Sequence, residues 1–390
     1  MLETYEIIVI GLMLGFILLI FSGYPIAWTL AGVSFWVAAI AIYGGEHFDW
    51  DTFLLDRWIK IGAISDRIWA QMQNSVLVAL PNFVFMGLML DRSGVADKLM
   101  QSFTRLFGSM QGGLAIAVCA IGILLAASTG IVGASVVLLA TLSMPLMMAY
   151  GYNRALASGV VAASGTLGIL IPPSIMLVIM ADRLSTSVGD LFMGAVFPGL
   201  LLGVLYIVYI LIFSVLRPRA APLPADVPKV TIRVVAGVLW SSAPPALLIL
   251  GVLGSIFFGI ATPTEASGLG AFLATMLALG KRRLNLRVLH EVVTQTTTTT
   301  SFIFGILVGA SMFALVLRGL GGDELIESTL IGLELGPHGT MFVILFIVFL
   351  LGFVLDWIQI ILIILTLVAP VVKSFGFDLN WFMILFAVCL

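Results

Sequence analysis

The sequence predicts an all-α polytopic membrane protein built from inverted repeats, with a re-entrant hairpin and broken helices. Three observations predict this fold class. The 390-residue chain is 61% hydrophobic and only 10% charged, with a mean hydropathy of +1.20. Soluble domains carry about 25% charged residues, so this chain cannot cover itself with polar surface and its solvent must be largely lipid. Apolar runs of near-spanning length recur along nearly all of it. Finally, its two halves share local motifs at an almost constant offset.

The apolar runs cover roughly 7–22, 26–43, 74–90, 113–149, 156–181, 191–216, 234–261, 265–280, 298–317, 340–355, 358–372 and 381–390. A helix needs about 20 apolar residues to span the hydrocarbon core. The runs 113–149 and 156–181 are longer and studded with glycine, serine and proline, so each reads as a broken or doubled helix. Segment 50–73, with Trp50, Trp58 and Trp69, reads as an interfacial surface helix. The N-terminus is acidic, with Glu3 and Glu6, and lacks the cationic start of a signal peptide. The first run is therefore read as a retained helix.

Lys and Arg mark cytoplasmic loops. Loop 217–233 holds Arg217, Arg219, Lys229 and Arg233 against Asp226, and loop 281–291 holds Lys281, Arg282, Arg283 and Arg287 against Glu291. Both are placed inside. Loop 44–60 is mainly acidic and is placed outside, which puts the N-terminus outside as well.

The repeat appears in matched pairs. Gly94-Val95-Ala96-Asp97 answers Gly321-Gly322-Asp323, and Met144-Pro145 followed by Gly151 answers Ala369-Pro370 followed by Gly376. The offsets are 323 − 97 = 226, 370 − 145 = 225 and 376 − 151 = 225. Residues 91–109 are net basic and 318–338 net acidic, so matching loops sit on opposite sides, as in inverted repeats of secondary transporters. The division expected is a first repeat, 1–216, with a hairpin at 156–181; a cytoplasmic linker, 217–233; and a second repeat, 234–390. Pro172-Pro173 shifted by 225 falls at 397 and 398, so the second repeat is expected to stop before its own Pro-Pro hairpin.

Several function classes are disfavoured. A net charge of −2 with no basic domain does not indicate nucleic acid. Cys119 and Cys389 make neither a disulfide framework nor a metal set. His47, His290 and His338 lie in polar loops, and there is no HExxH or phosphate-binding loop. Gly133-Ala134-Ser135 has no helical histidine to activate its hydroxyl. An enzyme or an ATP-driven pump is therefore not expected.

The strongest constellation is Ser164-Gly165-Thr166-Leu167-Gly168-Ile169-Leu170-Ile171-Pro172-Pro173-Ser174. Two prolines without N–H groups strip the helical donors from the carbonyls of Gly168 and Ile169. Irregular backbone at membrane depth is tolerated where it is buried or lines a cavity. Freed carbonyls, with Ser164, Thr166 and Ser174 hydroxyls, suit a hard cation, and the helix starting near Ser174 points its positive end at the same place. A plain proline kink is the alternative. A second cluster is Ser128-Thr129-Gly130-Ile131-Val132-Gly133-Ala134-Ser135, read either as unwound helix or as close packing through small residues. Asp356 is an acid within an apolar run, able to ligate a cation or to cap a helix. Thr262-Pro263-Thr264-Glu265 reads as a capping box, Thr296–Thr300 as a polar helix face, and Asp182-Arg183 as an interfacial pair.

Taken with Leu191-Phe192-Met193-Gly194-Ala195-Val196-Phe197-Pro198-Gly199 and Ala261-Thr262-Pro263-Thr264-Glu265-Ala266, the Pro-Pro constellation makes nearly the whole chain resemble the large, DctM-like membrane subunit of tripartite ATP-independent periplasmic (TRAP) transporters. The resemblance implies an elevator-type symporter driven by Na⁺, with a moving transport domain held by a scaffold. It implies a small four-helix membrane subunit, a periplasmic substrate-binding protein and an organic acid substrate. It carries substrate contacts onto Ser164, Gly165, Thr166, Pro172, Pro173 and Ser174. It carries Na⁺ ligation onto Ser128, Thr129, Gly130, Gly133, Ser135, Gly168 and Asp356. Many relatives have a Gly-Ser-Ser type stretch where this chain has Gly130-Ile131-Val132, which leaves carbonyls rather than hydroxyls as ligands at 131 and 132. The variant motif resembles the branch linked to keto acids and other monocarboxylates. A stand-alone carrier or antiporter of related fold, a channel and a membrane enzyme are the competing readings.

Overall fold

The computed structural model describes residues 3–129, 132–223 and 231–390, with backbone alone at 126–129, 132 and 134. The regular elements among them are helices: α1 (Thr4–Ile20), α2 (Ile26–Phe48), α3 (Ala63–Met72), α4 (Ala79–Arg92), α5 (Val95–Phe107), α6 (Gly113–Thr129), α7 (Val132–Ala149), α8 (Arg154–Leu170) and α9 (Ile175–Arg183). There follow α10 (Val188–Leu216), α11 (Ile232–Phe257), α12 (Pro263–Gly280), α13 (Leu286–Gly319), α14 (Gly322–Gly332), α15 (Gly336–Leu351), α16 (Trp357–Ser374) and α17 (Leu379–Cys389). Six of these are long and apolar enough to cross a membrane, or seven if α8 and α9 form one bent span. Each predicted apolar run is a helix or a helix pair. Outside those runs, α5 and α14 each follow a left-handed glycine, Gly94 at φ +71° and Gly321 at φ +74°. Helix α5 buries Val95, Leu99, Met100 and Phe103, an i, i+4 stripe too interrupted by charge to register as an apolar run.

The chain forms two compact units, one of residues 1–74 and 298–390, the other of residues 75–297. The boundary falls within α13. In the unit of 75–297, α8 is enclosed by α6, α7 and α10, and backbones approach where side chains vanish. A Cβ on Gly122 of α6 would lie 2.6 Å from the Ser164 Cβ, and one on Gly165 would lie 2.4 Å from Val136 Cγ2 of α7. In lipid, where no hydrophobic driving force pulls helices together, such close contact is the main source of packing energy. Helix α12 lies on α4, with Asn82 Nδ2 donating to Ser267 Oγ at 3.1 Å. In the other unit, α13 packs on α2 at Gly309, where a Cβ would meet the Ala27 carbonyl at 2.5 Å. Phe313 of α13 lies 5.3 Å from Phe16 of α1, ring to ring.

The hairpin and the broken helix exchange the places the sequence suggests. Between α8 and α9 the chain bends by 43°, which redirects a span without reversing it. The reversal lies between α6 and α7. Tyr152, just past α7, lies against the backbone of Leu114 and Ala115 at the start of α6, so these two ends of the helices adjoin. Both then pack along α8. In the second half α15 and α16 do the same, with His338 near the start of one 5.4 Å from Phe377 past the end of the other.

Local devices recur at the predicted offset. Pro145 lies inside α7 and Pro370 inside α16. Gly151 and Gly376 are left-handed at φ +76° and +80°. Asn153 caps α8 by accepting from Ala155 N at 2.9 Å, and Asp378 caps α17 by accepting from Trp381 N at 2.8 Å. Thr141 and Thr366 each bond back to the preceding turn.

Candidate functional site

Small residues and an N-cap build α8, and its end is dictated by proline. Ile171 takes extended backbone at φ −80°, ψ 121°, the region left to a residue that precedes proline. Its own N–H still reaches the Leu167 carbonyl at 2.9 Å. Pro172 has no N–H for the Gly168 carbonyl and Pro173 none for that of Ile169. The Ser174 hydroxyl supplies the second of these missing donors, bonding to the Ile169 carbonyl. Ser174, itself extended, then opens α9. Residues 167–181 are all buried. The break therefore brings the carbonyl end of α8 and the N–H end of α9 together within buried protein. A cation suits the first, an anion the second.

The predicted residues divide by role. Ser164 is buried against α6, where it faces Gly122. Gly165 is filled by Val136. Thr166 is exposed on its unit, its hydroxyl bonded back to the Ala163 carbonyl at 2.9 Å. Gly168, Pro172 and Pro173 line the break, and all three are buried. Gly133 is exposed with open space where a Cβ would stand, and Ser135 is buried. Ser128 and Thr129 end α6; their side chains, and the whole of Gly130 and Ile131, lie outside the described residues.

Asp356 belongs to the other unit. It is the N-cap of α16 and forms a capping box with Gln359, whose Oε1 accepts from the Asp356 N–H at 2.8 Å. Both alternatives for Asp356, cap and ligand, are compatible with this geometry. Gln359 is completely buried, and its Nε2 has no partner among the described residues. Past it, Ile360–Leu365 widens into a π-helix, a deviation found often at functional sites. The Asp-x-x-Gln spacing was a readable capping signal; the π-helix left no trace in the apolar run Ile360–Leu365. Thr262 and Glu265 do form their capping box, the Thr262 N–H reaching Glu265 Oε2 at 2.8 Å.

Among the described residues no three His, Cys, Asp or Glu side chains converge as a metal site. The available donors at both breaks are carbonyl, hydroxyl and carboxylate oxygens, a set suited to a hard cation rather than a transition metal.

Comparison with known proteins agrees with this architecture. The family model for the tripartite ATP-independent periplasmic transporter, DctM component, matches residues 13–390. A C4-dicarboxylate TRAP transporter large permease protein of Pseudomonas aeruginosa is 32% identical over 328 residues, 84% of this chain and 76% of the relative. An ectoine/5-hydroxyectoine large permease of Ruegeria pomeroyi is 31% identical, covering 80% and 72%. An isethionate TRAP transporter permease protein DctMQ of Oleidesulfovibrio alaskensis is 25% identical over 82% of this chain and 50% of its own length.

Proposed function

The chain belongs to the DctM family of TRAP transporter large permeases, and from that membership we propose that it imports an organic acid anion coupled to Na⁺. The observation that carries the mechanism is the buried break at 171–174. The Gly168 carbonyl at the end of α8, with Gly133 and Ser135 one hairpin arm away on α7, forms a cation locus. The N-terminus of α9 forms an adjoining anion locus. Na⁺ is the coupling ion; its charge lowers the cost of bringing a carboxylate into buried protein. Asp356 and the turn before α16 serve a second cation locus in the other unit. The recurring prolines, glycines and caps near an offset of 225 support division into inverted repeats, with α6–α7 and α15–α16 as the paired hairpins.

The partners are a small four-helix membrane subunit and a periplasmic binding protein that delivers the substrate, in the bacterial inner membrane with the N-terminus outside. The relatives' names span C4-dicarboxylate, isethionate and ectoine; the substrate proposed here is a small organic acid, a carboxylate or keto acid. The test is uptake of labelled acids into proteoliposomes holding the permease, small subunit and binding protein. An inward Na⁺ gradient should be required. Uptake that survives its removal would sink the coupling, and uptake without binding protein would favour a stand-alone carrier.

A further inference from the structure

A groove of about 490 Å³ runs between α8 and α10 within the unit of 75–297. Leu156, Val160 and Ala163 wall it on one side, Tyr206 and Ile210 on the other. Its lips face outward: Tyr209 is 60% exposed, and a Cβ on Gly159 would meet nothing within 4 Å. Helix α10 continues this outward face with Val208, Ile212 and Val215, all exposed, as a lipid-facing helix would.

One end of the groove is cationic. Tyr209, Phe213 and Arg217 stand one turn apart on the same face of α10. The two rings stack at 5.9 Å, and the guanidinium lies 5.5 Å from the Phe213 centroid. This ladder holds the charge at the groove mouth. The Asn153 N–H donates to the Ala220 carbonyl at 2.9 Å; both residues line this mouth, and Arg154 and Arg219 are their immediate chain neighbours. No acid occurs in 113–181 or in 191–225, and none of the three arginines is ion-paired among the described residues.

We propose that this groove binds an anionic phospholipid, its acyl chain against α8 and α10 and its phosphate at Arg217, Arg154 and Arg219. A basic pocket at the end of membrane helices is a recognised headgroup site. The apolar walls fit a hydrocarbon chain. A small organic acid would have to leave its carboxylate unpaired among them. Ser164 lines the groove some ten residues along α8 from Arg154; the arginine end uses none of the groups assigned above to the cation and anion loci.

The test is native mass spectrometry of the permease with its small subunit, titrated with phosphatidylglycerol and with phosphatidylcholine of the same chains. The complex should prefer phosphatidylglycerol. R217Q should weaken that lipid by about fivefold, as expected for one cation near a headgroup, and R154Q/R217Q/R219Q should erase the preference. R217K should keep most of it, which separates lost charge from lost folding. G159L should weaken both lipids by filling the groove. An unchanged preference in R217Q and in the triple variant overturns the proposal. So does phosphatidylglycerol that binds only when the small subunit is removed, since the face then belongs to a protein interface. Displacement of the lipid by the transported acid overturns it as well, by assigning the arginines to the substrate's route.

Discussion

Two Pro-Pro pairs in this chain behave differently. Pro172-Pro173 ends α8 and bends the span by 43°, whereas Pro244-Pro245 lies inside α11, which continues unbroken from Ile232 to Phe257. Proline chemistry is the same in both: each pair removes two helical donors. The flanks differ. Pro172 follows Gly165, Gly168 and the β-branched Ile169 and Ile171, and Pro173 is followed by a serine. Pro245 is followed by Ala246-Leu247-Leu248-Ile249-Leu250. Glycine is about 1 kcal/mol poorer than alanine in a helix, and leucine is close to alanine. A Pro-Pro pair loosens a membrane helix; weak helix formers before it and a hydroxyl after it turn the loosening into a break.

The largest effect should come from removing the two pairs in turn. P172A/P173A restores the helical donors to Gly168 and Ile169 and closes the carbonyl locus. Sodium-driven uptake should fall by about 100-fold or more, the order expected when binding groups are misplaced. P244A/P245A should leave uptake within about twofold and raise thermal stability, since an interior helical proline costs about 3 kcal/mol. Equal loss of uptake in both variants would break the comparison and reduce the first pair to a structural kink.

A smaller effect tests how tightly each helix is held. Gly165→Ala places a methyl 2.4 Å from Val136 Cγ2 and 3.0 Å from its Cα, so backbone as well as side chain must yield. Overpacking of this kind costs about 1–3 kcal/mol, read as a lower unfolding temperature in detergent. In α11, Gly237→Ala meets nothing within 4 Å and should gain up to about 1 kcal/mol. If both substitutions are neutral, α7 does not clamp α8, and the enclosure that separates the two proline pairs is lost.

The same contrast shows what could be read in advance. Hydropathy located every long helix, because a lipid-facing segment must be apolar whatever packs on it. The Thr262–Glu265 capping box was legible, since capping is local chemistry. The 43° bend, against the reversal between α6 and α7, was not. Gly, Ser and Pro mark both places alike, and only tertiary contacts such as Tyr152 against Leu114 decide which one turns back. The role of Ser174 was half legible. A hydroxyl beside the freed carbonyls suggested an ion ligand, but this one occupies the Ile169 carbonyl itself. That leaves Gly168 as the carbonyl with no proline-side donor. Gln359 was legible as the capping partner of Asp356, but not its complete burial, because one amide in an apolar run carries no periodic signal.

Ser174 gives the finest test of the comparison. Among the described residues its hydroxyl is the group that substitutes for the N–H that Pro173 lacks, and it is fully buried. Ser174→Ala leaves the Ile169 carbonyl bare in a water-poor interior, at a cost of about 1–2 kcal/mol. Ser174→Thr keeps the hydroxyl and should restore most of that loss. In α11, the Ser241 hydroxyl bonds back to the Val238 carbonyl at 3.0 Å. That carbonyl still faces the N–H of Ser242, so Ser241→Ala should change stability by less than about 0.5 kcal/mol. Thermal unfolding of the three variants in one detergent reads all these values. A Ser174→Ala effect no larger than that of Ser241→Ala would mean that the Ile169 carbonyl finds another donor when the hydroxyl is gone. Water or a bound cation at the break would be that donor's replacement, and repeating the scan with Na⁺ exchanged for choline would separate the two: stability that then falls assigns the carbonyl to the ion.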